Sequence, residues 1–486
     1  KLNFIIFFMD EGKRKFIQFL AENGLGIFSR SDEDRTLKSG RISPWFLNVG
    51  DFNNGTKLLT LSEAYADTIV ASGIKVDSVY GIPEKGVGLV GPVSTALARR
   101  GIETGWFFDR KTEKTHGEGS GKSDLAKIIV GRIPQAGEII AQLDDVFTDG
   151  QAKYDARKRL DSFGEFQLPL LAIALNRQEV NVQGIDAIAE YERKTGTKVV
   201  STVKATEVID YLKDMAAKSS SSILDRRIER LSNYLRVYGT EEARSHVGKR
   251  LEQKIIGRDR SVIPACDVQT LQEFREIVKQ TADVEGIGGY KIGFELGLGF
   301  GLPAVVDAAR EFTNKPIIYD HQKAGTDIPA TGKNFAQTMK RSGVDTVIFF
   351  PQAGPETERA WIYHAFDQGL NVIVGGRMTH PAYAVSEGGF ITDEGAREIY
   401  RIAARAGVNN FVVPGNKPEV IRDVRSIIES EGVSPIFYAP GFVAQGGKIA
   451  DAARVAGDKF HGIVGTAIYT AKDKRSVALE LTSQLD

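Results

Sequence analysis

The second half of the chain alternates short apolar runs with helical stretches, and this alternation constrains the fold more than any other feature. Helical patterns, such as those over 271–281 and 396–406, separate most neighbouring runs. Eight strand–helix units over roughly 225 residues match a closed (β/α)8 TIM barrel, which typically takes about 250 residues. The sequence predicts barrel strands over 262–267, 289–293, 316–321, 346–351, 371–376, 410–415, 435–441 and 462–469.

The first half alternates helices with β-rich runs, for example 76–82, 138–146 and 169–175. This order predicts βαβ units and a largely parallel sheet with flanking helices. A polar, helical stretch without strand patterns follows, as in 223–234. We therefore expect an α/β protein with a sheet domain over 10–207, a helical connector over 208–257 and a barrel domain over 258–486.

Composition narrows the classes of partner. The chain has 486 residues, and Lys+Arg and Asp+Glu both total 63, so the formal net charge is zero. Nucleic-acid and membrane-surface binders usually carry excess basic charge, so neither partner is expected. No run approaches the roughly 18–20 apolar residues that span a bilayer. A lone cysteine, Cys266, excludes intrachain disulfides and a cysteine-rich metal site, which fits a reducing cytoplasm.

Two adjacent carboxylates, Asp144 and Asp145, end a predicted strand of the first half. Carboxylates at this edge of a parallel sheet can hold ribose hydroxyls, directly or through Mg²⁺. The turn that follows, with Thr148 and Gly150, and the N-terminus of the next helix suit a phosphate group. An ordinary turn opened by the two acids is the alternative interpretation.

A charged segment over 110–119 precedes several glycines, as in a mobile anion-binding lid. A solvated surface loop is the alternative interpretation of the same run. The side chains that would hold the anion are Arg110, Lys111, Lys114 and His116.

A third segment, 37–48, combines cations such as Lys38 with aromatic residues such as Phe46. Cations suit a carboxylate or phosphate group, and aromatic side chains can stack on a planar ring. An ordinary turn with its aromatic residues in the core is the alternative here.

Together these segments resemble the orotate phosphoribosyltransferase family over most of residues 10–210. The resemblance implies a type I phosphoribosyltransferase fold and transfer of ribose 5-phosphate from phosphoribosyl pyrophosphate to orotate, with Mg²⁺ bound through that donor. It implies catalytic roles for Lys114, Asp144 and Asp145. It also implies that Lys38, Phe46, Lys85, Arg110, Lys111, His116, Thr148, Gly150 and Arg177 bind the substrates.

The phosphate-binding turn departs from the pattern of that family. The family usually carries Thr-Ala-Gly-Thr, whereas this chain reads Thr148-Asp149-Gly150-Gln151. A carboxylate near a bound phosphate opposes binding by like-charge repulsion. The sequence therefore predicts a weakened or lost transferase activity.

Ionisable residues end the first three predicted barrel strands, where such folds keep their chemistry. These residues are Asp267, Lys291 and Asp320, and the third strand continues into Lys323 and Asp327. Lysines interleaved with aspartates are what a buried catalytic site requires, because buried charges are costly unless they pair. A surface ion-pair network is the alternative.

This half resembles the orotidine 5′-monophosphate decarboxylase family over about residues 258–475. The tetrad of that family would be Lys291, Asp320, Lys323 and Asp327, with one extra residue on each side of Lys323. The resemblance implies a reaction without a cofactor, in which Lys323 stabilises carbanion character at C6 and delivers a proton. It also implies that Asp327 reaches across a subunit interface, so that a homodimer or higher homo-oligomer is expected.

The other barrel residues are expected to bind the nucleotide. By resemblance, Thr379 lies in the loop that contacts the pyrimidine, and Gly465 and Thr466 stand where the family carries its phosphate-binding Gly-Arg. A threonine hydroxyl gives one hydrogen bond where arginine gives a bidentate charged contact, so Lys448 or Lys417 is a candidate substitute. The expected substrate-binding residues of the barrel are Asp267, Thr379, Gln445, Gly446, Gly465 and Thr466.

The two resemblances concern consecutive steps, so the whole resembles the bifunctional uridine 5′-monophosphate (UMP) synthase family. Orotate, phosphoribosyl pyrophosphate, orotidine 5′-phosphate and UMP are then the expected small-molecule partners. One alternative retains the decarboxylase alone, with the first half a degenerate nucleotide-binding or dimerisation module. Another is a non-enzymatic nucleotide-binding scaffold.

Overall fold

The structure, a computed structural model, describes most of the chain, and its described residues divide into two compact units. The first unit holds the chain up to Arg35 together with Ser43–Val247. The second holds Thr36–Ile42 and the chain from Gly248 onward. The stretch expected to be a connector, 208–257, is therefore divided between the two units. The described residues are 11–29, 33–37, 40–110, 128–148, 150–219, 221–250, 254–321, 326–442 and 448–485.

Strands and helices alternate through most of both units. The strands are β1 (Leu25–Ile27), β2 (Arg35–Thr36), β3 (Ile42–Ser43), β4 (Trp45–Leu47), β5 (Ser78–Gly81), β6 (Gly105–Asp109), β7 (Ile129–Gly131), β8 (Ile139–Val146), β9 (Gln167–Asn176), β10 (Lys198–Lys204), β11 (Arg260–Cys266), β12 (Tyr290–Ile292), β13 (Ile317–Asp320), β14 (Thr346–Phe349), β15 (Asn371–Gly375), β16 (Asn410–Val412), β17 (Ile436–Ala439) and β18 (Phe460–Val464).

The α-helices are α1 (Glu11–Asn23), α2 (Gly55–Ala71), α3 (Val90–Ala98), α4 (Gln151–Phe163), α5 (Ala187–Thr195), α6 (Ala205–Lys218), α7 (Ser222–Tyr238), α8 (Glu241–Val247), α9 (Leu271–Thr281), α10 (Phe294–Phe300), α11 (Leu302–Arg310), α12 (Thr331–Arg341), α13 (Pro355–Asp367), α14 (Asp393–Arg405), α15 (Pro418–Ser430), α16 (Ile449–Ala456), α17 (Thr466–Tyr469) and α18 (Lys474–Thr482). Short 3-10 helices cover Val49–Asp51, Gly86–Gly88, Val385–Glu387 and Ser483–Leu485.

The first unit is built on a sheet with the strand order β10-β9-β8-β5-β6-β7. Its strands run parallel except for the antiparallel pair β6–β7, so the predicted largely parallel sheet is confirmed. Strand β9 is apolar and buried along most of its length, as expected of a strand covered on both faces. The carboxyl ends of β5, β8 and β9 meet at one edge of this sheet.

The second unit is a closed barrel of strands β11 to β18 in sequence order, and β18 pairs with β11. Neighbouring strands are parallel, so the predicted (β/α)8 barrel is confirmed within the described residues. Isoleucines from several strands pack in one buried cluster of this unit, which explains the apolar runs of the sequence. They include Ile263, Ile318, Ile348, Ile373 and Ile463.

The last predicted barrel strand, 462–469, is partly wrong. The strand begins earlier, at Phe460, and ends at Val464, and Thr466–Tyr469 form a short helix. The backbone N–H of Tyr469 donates to the carbonyl of Gly465, which is a helical contact. The error has a simple cause, because a short apolar run fits a strand and a helix equally well.

Among the described residues, the structure contains no helix that is both long enough and apolar enough to cross a membrane.

Candidate active sites

Strand β8 carries the two predicted acids to the carboxyl edge of the first sheet. Asp144 is buried, its Oδ1 accepts the backbone N–H of Asp145 at 2.9 Å, and its carbonyl accepts the Tyr65 hydroxyl at 2.6 Å. Asp145 is half-buried, and its Oδ1 accepts the backbone N–H of Val146 at 2.7 Å. Burial, and then the charge of Asp144, raise the pKa of Asp145 to about 6. The two acids are therefore held in place but lie in different environments.

A buried lysine that was not among the predicted site residues lies beside these acids. The Lys153 Nζ is 2.6 Å from Asp144 Oδ2 and donates to the Val146 carbonyl at 2.7 Å. Lys153 belongs to the buried stripe of helix α4 with Ala156 and Leu160. The i, i+3, i+7 spacing of these three residues is the pattern of a core-facing helix side, and it could have identified the lysine.

The described part of the turn between β8 and α4 includes the predicted Gly150. Gly150 lies in the left-handed region, with φ of +81°, and a Cβ there would be 2.8 Å from the Phe147 ring. Glycine is the residue that adopts this conformation without strain. Thr148 is exposed at the same turn.

The predicted Lys85 precedes a turn that approaches β8 very closely. Lys85 is exposed, and Gly86 next to it lies so near β8 that an added Cβ would be 2.1 Å from the Leu143 carbonyl oxygen. The Ile82 backbone N–H donates to that same oxygen at 3.0 Å. The turn that carries Lys85 is therefore fixed directly against the strand that carries the acids.

The predicted orotate-binding Arg177 is buried rather than open to solvent. Its Nη2 lies 2.6 Å from Glu179 Oε1 and donates to the Ser43 Oγ at 2.9 Å. Its guanidinium carbon is 4.7 Å from the centre of the Trp45 ring. Burial opposes the charged form of Arg177, but the charge and hydrogen-bond interactions with Glu179 and Tyr234 together outweigh burial and raise its pKa. Arg177 thus contacts Ser43 and Trp45 of the predicted orotate-binding segment. Phe46 on the same segment is 40% exposed.

Several predicted site residues lie at the end of a described segment or outside the described residues. Arg110 is exposed at the end of the described part of the predicted lid. The predicted residues that lie outside the described part of the chain are Lys38, Lys111, Lys114, His116, Asp149, Lys323, Gln445 and Gly446.

The barrel brings three of the predicted ionisable residues together at the carboxyl ends of its strands. Lys291 on β12 is buried, and its Nζ lies 3.3 Å from Asp267 Oδ1 and 3.4 Å from Asp320 Oδ2. Burial opposes the charged form of Lys291, but the carboxylates of Asp320 and Asp267 outweigh burial and raise its pKa. One ammonium therefore lies between two carboxylates, as the alternation of charges predicted.

Asp327 follows β13 and contacts helix α13. Its side chain is exposed, its Oδ1 accepts the backbone N–H of Ile328 at 2.7 Å, and its carbonyl accepts the Thr357 hydroxyl at 2.8 Å. The role of Asp327 in the predicted tetrad stays a prediction.

The predicted nucleotide-binding residues follow other strands of the barrel. Thr466 begins α17 directly after Gly465, is exposed, and has its Oγ1 3.2 Å from the Tyr469 hydroxyl. Thr379 is half-buried after β15, and its carbonyl accepts the Asn416 side-chain amide at 3.2 Å.

Of the two candidate substitutes for the phosphate-binding arginine, one is already paired. The Lys417 Nζ is 2.6 Å from Glu387 Oε1, which is also 3.3 Å from Arg377 Nη2. Arg377 also pairs with Asp393 at 2.7 Å. Lys448 is exposed at the start of α16. Lys448 is therefore the better candidate of the two.

Known proteins resemble the two units separately. The orotate phosphoribosyltransferase of Marinobacter nauticus is 38% identical over 205 residues, which cover 42% of this chain and 90% of that protein. The Pseudomonas aeruginosa protein of the same name is 38% identical over 209 residues, or 43% of this chain and 92% of that protein. The chain belongs to the orotate phosphoribosyltransferase family.

The second unit matches a different family. The pattern described as "Orotidine 5'-phosphate decarboxylase / HUMPS family" matches residues 260–481. A solved structure of the Methanocaldococcus jannaschii orotidine 5′-monophosphate decarboxylase with the inhibitor BMP aligns with a TM-score of 0.42 and 26% identity. The alignment covers 47% of this chain and 99% of the chain in that structure. One chain thus carries a match to each of the two families, which fits a fused UMP synthase.

Proposed function

We propose that this chain makes orotidine 5′-phosphate from orotate and phosphoribosyl pyrophosphate, and then decarboxylates it to UMP. The single observation that carries the proposal is the buried Lys291 ammonium between Asp267 and Asp320 at the barrel mouth, in a chain whose other half has transferase relatives. The two steps are consecutive, because the product of the first is the substrate of the second.

In the transferase step, we assign the ribose of the donor to the carboxyl edge of β8. The half-buried Asp145 is the more accessible of the two acids, and its charge stabilises the ribose ring as the anomeric carbon becomes positive. The turn amides around Gly150 suit the 5′-phosphate. Lys114 and the other lid cations are assigned to the departing pyrophosphate on resemblance alone.

Mg²⁺ fits this site as an ion carried mainly by the donor. The described residues contain no cluster of three His, Cys, Asp or Glu side chains that could hold a metal. Mg²⁺ commonly keeps waters and substrate phosphates and takes only one or two protein carboxylates, and Asp145 can supply one. When bound, the ion neutralises charge on the pyrophosphate.

In the decarboxylase step, the barrel site needs no cofactor for the chemistry that we propose. Lys291 contacts both Asp320 and Asp267 and holds the two carboxylates in place at the barrel mouth. We assign the carboxylate of the substrate to the side of Asp320, where repulsion favours the departure of CO₂. We assign proton delivery to C6 to Lys323. Thr379, Gly465 and Thr466 are proposed to contact the nucleotide.

We further propose that the active form is a homodimer or higher homo-oligomer. Asp327 is exposed, so that a second copy is the proposed source of this member of the tetrad. Sedimentation at working concentrations tests this, and a monomer with full decarboxylase activity would contradict it.

A paired assay on the intact chain tests the whole proposal. Orotate consumption with phosphoribosyl pyrophosphate and Mg²⁺ reports the transferase, and CO₂ release from orotidine 5′-phosphate reports the decarboxylase. Lys323→Ala should abolish the second activity and leave the first unchanged. No turnover in either assay, or decarboxylation that survives Lys323→Ala, would contradict the assignment.

A further inference from the structure

Lys153 is a buried cation in the first unit that the proposed reaction does not yet use. It is 5% exposed, and the other buried residues of α4 are the apolar Ala156 and Leu160. A charge in such a stripe is costly unless it is paired and hydrogen-bonded. The position therefore has a specific electrostatic partner rather than an ordinary packing role.

The contacts of Lys153 all lead to the end of β8. Its Nζ meets Asp144 Oδ2 at 2.6 Å and the Val146 carbonyl at 2.7 Å, and it lies 5.5 Å from the centre of the Phe147 ring. The Lys153 backbone N–H also donates to the Gly150 carbonyl at 2.9 Å. Lys153 thus joins the start of α4 to both ends of the proposed phosphate-binding turn.

These contacts give the two acids different tasks. Asp144 is 5% exposed, and its two carboxylate oxygens take the Lys153 ammonium and the Asp145 backbone N–H. Asp145 is more exposed and has no comparable pairing with the lysine in the described structure. Asp144 is therefore held in the framework of the site, and Asp145 is left to face the ribose.

We propose that Lys153 is a positioning residue for the phosphoribosyl donor. This proposal rests on the proposed transferase function. By pairing with Asp144, Lys153 fixes the end of β8 and the turn before the donor arrives, so that less order has to be gained on binding. Loss of the lysine then weakens donor binding and leaves the chemical step nearly unchanged.

Lys153→Met tests the proposal in the full chain with saturating orotate and Mg²⁺. We expect the KM for phosphoribosyl pyrophosphate to rise at least about tenfold, with kcat within about threefold. Lys153→Arg should recover part of the loss, because it restores the charge. Lys158→Met is the matched control, since Lys158 is exposed on the same helix, and it should behave as wild type. The decarboxylase activity of each variant reports that the second unit is intact.

A double-mutant cycle separates positioning from loss of folding. Lys153→Met alone leaves a buried carboxylate without its partner, whereas Asp144→Asn with Lys153→Met leaves no such charge. We expect Lys153→Met to change the KM by less than about threefold in the Asp144→Asn background, because the lysine acts through Asp144. An equal rise in both backgrounds, or an unchanged KM for Lys153→Met, would overturn the proposal.

Titration calorimetry with phosphoribosyl pyrophosphate and Mg²⁺ distinguishes this failure from failure of the proposed function. If the wild type binds the donor without orotate turnover, the transferase assignment fails, and weaker binding by Lys153→Met still supports the positioning role. Equal binding by both chains, or binding by neither, overturns that role.

Discussion

The two units each bury a lysine beside aspartates, but they balance the charges differently. In the first unit one ammonium meets one carboxylate, Lys153 with Asp144, and the pair is almost fully enclosed. In the barrel one ammonium, that of Lys291, lies between Asp267 and Asp320 at longer distances. A short, enclosed pair suits a framework, whereas a lysine that contacts two partly exposed carboxylates at longer distances suits a group that acts on a substrate.

The strongest test of this difference is the removal of the barrel lysine. Lys291→Met removes the ammonium that both Asp320 and Asp267 contact, so we expect decarboxylation to fall by about a thousandfold or more. The transferase rate measured on the same sample should stay within about twofold of wild type. Lys279→Met, at an exposed lysine of α9, is the matched control. A decarboxylase that tolerates Lys291→Met would remove the contrast between the two lysines.

A smaller effect should distinguish the two carboxylates that surround Lys291. The Asp320 side chain is 15% exposed and that of Asp267 is 40% exposed, so solvent screens Asp267 more strongly. We expect Asp320→Asn to lower the decarboxylation rate about a hundredfold and Asp267→Asn about tenfold. Steady-state kinetics with orotidine 5′-phosphate measure both. The reverse order would assign the larger role to Asp267.

The smallest expected effect is a separation of the two activities on mild acidification. Burial and Asp144 raise the pKa of Asp145 from its ordinary 3.8 to about 6, so Asp145 gains a proton as the pH falls through about 6. Protonation removes the negative charge of Asp145 that we assign to stabilising the ribose. Transferase activity should therefore fall several-fold between about pH 7 and pH 5.5. The Lys291 pKa is raised, so Lys291 stays charged over this range.

The same raised pKa predicts that acidification stabilises the first unit while it lowers transferase activity. An ionised Asp145 is disfavoured in the fold relative to the unfolded chain, so protonation as the pH falls from about 6 towards 3.8 should stabilise the first unit. Thermal unfolding across this range checks the sign. Asp145→Asn should lose this pH dependence, and a wild-type stability that falls through the window would contradict it.

The sequence predicted the barrel and the meeting of Lys291 with Asp320 because both follow from strand order. Parallel strands end at the same mouth, so residues at those ends must be close. The pairing of Lys153 was not predicted. In a polar helix, only the spacing of the few apolar residues indicates that a particular lysine lies on the buried side. Arg177 was expected at the substrate, and its burial depends on Glu179 and on contacts from the distant Trp45 segment.

The ion pairs among Arg377, Glu387 and Lys417 were not predicted from the sequence either. These residues come from two different loops at the barrel mouth, and no spacing along the chain connects them. Thr466 shows a related limit, because its short apolar run was predicted as part of a strand and forms a helix.

Gly86 lies so close to β8 that only glycine, whose side chain is a hydrogen atom, fits at this position. Even alanine would force the turn away from the Leu143 carbonyl, and Lys85 and Asp144 would be displaced relative to each other. Two residues of the proposed donor site, far apart in the chain, thereby keep a spacing that depends on the absence of a methyl group at residue 86.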